Sequence, residues 1–147
     1  AGNSQRLPTL EEALDVAGRA IGMILELKVE GIGNEACAIV KRTGFPGPLI
    51  YASFLMPELQ RVRQTDPDAK IMVLQHRRLP PDPVADVVAL DASHVGLHFS
   101  TVTPMLLQTY HNLGRQVFVY TVNEPQDIQR MRNLGVDGII SDFPDRI

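Results

Sequence analysis

Apolar and polar positions alternate between two periods along this chain. Near the amino end, Leu10, Ala13, Leu14 and Ala17 recur at helical spacing. Thr9 and Glu12 form a capping-box pair at the start of that helix. A short apolar run at about 22–28 then reads as a strand. Asn34 to Arg42 is helical, stopped by Gly44 and Pro46. "PLIYASF" is a strand, and Met56 to Gln64 a helix with Pro57 in its first turn. "KIMVL" is a strand, "PPDPVADVVAL" a loop followed by a short helix, and "HVGLHF" a strand. Thr103 caps a helix that begins at Pro104 and ends at Gly114, and "QVFVYTV" is the next strand. Asn123 is read as the cap of a further helix, ended by Gly135, and "VDGIISDF" as the last strand.

The order is therefore a helix followed by repeated strand–helix units with short connections. That pattern predicts a parallel sheet with helices outside it. Two architectures fit: a doubly wound open sheet, or part of a (β/α)₈ barrel. There is no internal repeat, low-complexity tract or linker; the Pro-rich "RRLPPDP" at 77–83 is read as a loop between a strand and a helix.

One strand poses a chemical question. In "MILELK", Glu26 and Lys28 point to one side and Leu25 and Leu27 to the other. Two charges in a core strand are expensive to desolvate and need a reason. In both architectures the ligand site lies at the carboxyl ends of the strands. Those ends carry Glu26 with Lys28, Ser53 with Phe54, Gln75 with His76, His98 with Ser100, Thr121 with Asn123, and Ser141 with Asp142. The opposite ends carry Gly22, Leu49, Lys70, His94, Gln116 and Asp137, a less coherent set. The asymmetry points to a binding or catalytic face at the carboxyl ends.

Composition narrows the classes. The 147 residues are 44% apolar and 21% charged, ordinary for one globular domain. No apolar run approaches the ~20 residues of a membrane span. A net charge of −3, few aromatics and no Trp leave no electrostatic footprint or stacking surface for nucleic acid. The single cysteine, Cys37, excludes an intramolecular disulfide and a cysteine-built metal site. The compartment stays open, with the cytoplasm favoured.

"LPTLEEAL", "LELK", "YASFLMPELQRVRQTDP" and "VFVYTVNEPQDIQRMRNLGVDGIISDFP" together resemble the glycerophosphodiester phosphodiesterases over essentially the whole chain. The resemblance implies a TIM-type (β/α)₈ barrel, of which residues 1–147 are the C-terminal portion, about strands three to eight. It implies metal-dependent hydrolysis of glycerophosphodiesters to an alcohol and glycerol 3-phosphate. Glu26 is then a metal ligand and Lys28 a phosphate contact, with Phe54, Tyr120 and Asn123 as further substrate-binding candidates. The ion implied is Mg²⁺ or Ca²⁺, which take hard oxygen ligands. Tyr120 stands where the family more often has Trp.

Several family motifs are absent: the first-strand His-Arg-Gly, the Glu-Asn-Thr after it, the Glu-x-Asp pair of metal ligands and the following His-Asp. No acid or base role is therefore carried onto His76, His94, His98 or His111. The chain alone is expected to be inactive, and a missing N-terminal segment or another chain is expected to close the barrel.

Plainer readings stand beside these. The plainer alternative for Glu26 and Lys28 is a structural ion pair, for Asn123 a helix cap, for Asp142 a turn residue and for Phe54 core packing. His76, Arg77 and Arg78 read as solvated surface, and Gly135, Asp137 and Gly138 as structural. A non-catalytic half-barrel or partner-binding fragment is the alternative function. A phospholipase-D-like toxin of the same superfamily is disfavoured by the TVN and GVDGII motifs.

Overall fold

A computed structural model describes residues 6–147. Helix α1 (Leu10–Ala17) leads into strand β1 (Met23–Glu26). Five further units follow: α2 (Gly33–Thr43) and β2 (Leu49–Ser53), α3 (Met56–Thr65) and β3 (Lys70–Gln75), α4 (Ala85–Ala89) and β4 (His94–His98), α5 (Pro104–Asn112) and β5 (Gln116–Tyr120), α6 (Pro125–Leu134) and β6 (Gly138–Ile139). The six strands form one sheet in chain order, and every pairing is parallel.

Strand order decides between the two expected architectures. A doubly wound sheet reverses direction, so its helices lie on both faces. Here the order never reverses, and right-handed crossovers then put every helix on the same face. The result is a half-barrel, with the helices outside and the other face turned toward the barrel axis.

Strand parity separates the faces. Leu25, Tyr51, Ile71, Val73, Val95, Leu97, Val117 and Val119 point outward and join Leu59, Val62, Val87, Leu107, Ile128 and Met131 from the helices in one core. The axial face carries Ile24, Glu26, Ala52, Phe54, Met72, Leu74 and Tyr120.

The capping-box prediction for α1 holds, with Glu12 N donating to Thr9 Oγ1 at 3.2 Å and Thr9 N to Glu12 Oε2 at 2.8 Å. Thr103 caps α5, accepting from Leu106 N at 3.2 Å. Gly44 and Gly135 end their helices in left-handed backbone, as their positions predicted. Several boundaries shift by a residue or two, and three differences bear on the site. Strand β1 stops at Glu26 because the Ser53 hydroxyl takes the Leu27 carbonyl at 2.6 Å, in place of a strand partner. Strand β6 is two residues rather than eight, although Ile140 N still donates to Val119 O at 2.8 Å. Asn123 does not cap α6: Glu124 occupies that position, without a side-chain bond.

At Gly33 the start of α2 lies directly against α3. A Cβ there would lie 2.9 Å from the Glu58 carbonyl and 3.1 Å from Arg61 Cβ. Alanine favours a helix over glycine by up to ~1 kcal/mol, but backbone in the way cannot rotate aside. We expect Gly33→Ala to destabilise the protein by about 1–3 kcal/mol, the usual cost of overpacking. A urea midpoint unchanged or raised would show that the two helices can part.

Candidate functional site at the strand carboxyl ends

Four strands converge on a cleft of about 130 Å³ on the axial face, lined by Glu26, Ala52, Phe54, Met72, Leu74, Tyr120 and Thr121 among others. Four of the residues singled out in the sequence therefore share one cavity: Glu26, Phe54, Tyr120 and Thr121. Lys28 lies at its edge, with Nζ 3.5 Å from Glu26 Oε2. This pair is not buried, contrary to the first reading of "MILELK": the side chains are 35% and 74% exposed. Strand β1 has one strand neighbour among the described residues, so its other edge is open.

An aromatic arc backs the cleft. The Phe54 ring stacks on His76 at 4.5 Å and meets Tyr120 edge-on at 5.9 Å. His98 presents an edge to Tyr120 at 6.1 Å and stacks on Phe99 at 4.8 Å. Its Nδ1 lies 2.8 Å from Ser100 Oγ. The Tyr120 hydroxyl donates to the Gln75 carbonyl. Burial pushes the Tyr120 phenol above its ordinary range, and the Glu26 carboxylate across the cleft pushes it further.

Asn123 stands at the mouth, in the β5–α6 connection. Its Oδ1 accepts from Asp142 N at 3.0 Å and from Ser141 Oγ at 3.2 Å, and its Nδ2 donates to Asp142 Oδ2 at 2.9 Å. It fastens the chain after β6 to the chain after β5 and keeps one amide hydrogen free of these bonds.

Two mouth candidates turn away from the cleft. Ser53 is fully buried and faces the helices, bonding Leu27 O and Leu55 N. Gln75 is buried on the same side, between the Pro83 carbonyl and the Tyr110 hydroxyl. His94 lies at the far end of its strand, its ring 5.4 Å from Phe118, and burial lowers its pKa. Asp137, read as structural, accepts from Val117 N at 2.7 Å and faces His111 Nε2 at 2.8 Å, also at the far end.

The sequence reading missed Glu58. A carboxylate in the first turn of α3 looks like an exposed complement to the helix dipole. It is instead fully buried, accepting from Gly31 N at 2.7 Å and Gly33 N at 2.8 Å and pairing with Arg61. Burial alone would raise its pKa, but the two amide donors and Arg61 outweigh burial and hold it below the ordinary 4.5.

Two outcomes follow from these contacts. Because the folded Glu58 pKa is depressed, its stabilisation is complete above the unfolded value and is lost as pH falls through the folded one. Glu58→Gln should cost about 1–3 kcal/mol near neutral pH, through amides left unsatisfied. Thermal melts against pH should show the gap to the parent protein closing on acidification, and a constant gap would refute the charged role. Separately, Glu26→Gln should let Tyr120 ionise at lower pH in a spectrophotometric titration, a step that Tyr120→Phe removes. An unmoved step would mean that the two do not share the cleft.

Residues 2–146 match the model of the glycerophosphoryl diester phosphodiesterase family. A glycerophosphodiester phosphodiesterase from Caldanaerobacter subterraneus subsp. tengcongensis is 28% identical over 149 residues, covering 97% of this chain and 61% of the relative. An Oleispira antarctica phosphodiesterase, solved in complex with the product sn-glycerol-3-phosphate, superposes with a TM-score of 0.84 at 26% identity over 95% of this chain and 59% of its own. A glycerophosphodiester phosphodiesterase from Parabacteroides distasonis gives a TM-score of 0.80 at 26% identity, over 94% of this chain and 61% of its own. The chain thus spans about three-fifths of the length of the curated relatives it matches. Its six strands and helices are the larger part of a TIM-type barrel, and the chain belongs to the glycerophosphoryl diester phosphodiesterase family.

Proposed function

We propose that this chain forms the C-terminal part of a metal-dependent phosphodiesterase barrel that hydrolyses glycerophosphodiesters to an alcohol and glycerol 3-phosphate. The reading rests on one observation above others: Glu26, Phe54 and Tyr120 converge on one cleft at the carboxyl ends of the strands, with Lys28 at its edge. A carboxylate beside an ammonium against an aromatic wall suits an anionic phosphodiester with a small organic group. Lys28 contacts the phosphate, Phe54 and Tyr120 pack against the carbon skeleton, and Asn123 offers its remaining amide hydrogen to a hydroxyl.

The metal is a separate matter. No cluster of three or more His, Cys, Asp or Glu able to hold an ion occurs among the described residues. Glu26 is the one carboxylate lining the cleft among the described residues, and with a single carboxylate they would hold Mg²⁺ or Ca²⁺ weakly. Glu26 is proposed as one ligand, with the others on the segment or second chain that closes the barrel. The acid and base of the reaction are assigned to the same closing part. The alternative is a non-catalytic half-barrel that binds a partner, an option the open edge of β1 favours.

Glycerol 3-phosphate release from glycerophosphocholine, measured with added Mg²⁺ or Ca²⁺, tests this. The 147-residue chain alone should be inactive. Co-expression with the unmatched remainder of the Caldanaerobacter relative should give metal-dependent activity, which Glu26→Gln should lower by at least ~10²-fold, the scale of losing a major electrostatic contributor. Activity of the isolated chain would refute the incomplete site. An inactive closed barrel would leave the partner-binding reading.

A further inference from the structure

The loop between β1 and α2 carries Lys28, yet little within the loop fixes its shape. Lys28, Val29 and Glu30 are exposed, and Gly31 adopts positive φ. What fixes the loop comes from the end of β2 and the first turn of α3 beside it. At the loop's start, Ser53 Oγ donates to Leu27 O at 2.6 Å, and Leu27 N donates to Ala52 O at 2.8 Å. At its end, the two oxygens of Glu58 accept separately from Gly31 N at 2.7 Å and Gly33 N at 2.8 Å. Gly33 leaves no room for a side chain against the Glu58 backbone.

We infer that Ser53 and Glu58 are positioning residues that clamp the β1–α2 loop at both ends and so aim Lys28 at the cleft. The inference rests on the reading of Lys28 as the phosphate contact. A buried carboxylate is a costly way to satisfy two amides that water could serve at a surface. It is the side chain that grips two amides at once, because it presents two acceptor oxygens and no donor. The result is preorganisation. Lysine has a long, flexible stem, and a fixed backbone at its root removes part of the ordering cost of binding an anion. Glu58 touches no substrate in this account; it acts through the loop.

Two measurements separate positioning from general support. In the 147-residue chain, amide hydrogen exchange in Glu58→Gln should accelerate at residues 28–33 at least about tenfold more than in β3 and β4, since local opening is distinct from global unfolding. Uniform acceleration would overturn the inference. In the closed-barrel enzyme, Glu58→Gln should lower kcat/KM about tenfold, but less than about twofold when Lys28 is already Ala, because residues acting through one contact are not additive. Independent, multiplying effects would overturn it as well. No effect of Lys28→Ala by itself would instead remove the phosphate reading, while the exchange measurement still rules on the loop.

Discussion

Parallel sheets occur almost only with both faces covered, in a barrel by helices outside and by closure of the sheet within. Here the helices cover the outer face, and the axial face is left with its own side chains. Most features of the molecule follow from that imbalance. Tyr51, Ile71, Val95, Leu97, Val117 and Val119 are buried because they face helices. On the axial face, Met72 and Ala52 in the middle of the sheet are buried, while Ile24 on the edge strand β1 is 40% exposed. The cleft occupies the half-covered axial side, where Glu26 and Tyr120 meet.

The order and type of the elements were legible in the chain because local chemistry punctuates it. Pro57, Pro104 and Pro125 open helices, and Gly44 and Gly135 close them in left-handed backbone. The faces of the strands were less legible. "KIMVLQ" is apolar on both sides, so no alternation marks which residue points where. Phe54 and His76 therefore reach the mouth while their neighbours Ser53 and Gln75 turn outward, a difference of one residue in each case. Parity became visible only once the register with the adjacent strands was fixed.

Long-range capture was the other source of error. Asn123 has the composition of a helix cap and sits one residue from the position. Its side chain bonds Ser141 and Asp142 instead, because β5 and β6 bring those groups within reach. Glu58 has the position of a dipole complement, but the loop after β1 supplies two amides 25 and 27 residues away. In both cases a polar side chain that satisfies a local rule finds a stronger partner across the sheet. Window-based reading sees the first and is blind to the second.

The charges in "MILELK" show how much a site depends on closure. In the half-barrel, Glu26 and Lys28 are solvated enough that their ion pair contributes little, as exposed pairs generally do. Anything that covers the axial face would desolvate the carboxylate, and burial without a partner is costly. Lys28 is placed 3.5 Å away to offset that charge, but it is also the group suited to a phosphate. It cannot serve both fully at once. A closed barrel that uses Lys28 on its substrate would leave the Glu26 charge to be offset by another cation or removed by a proton.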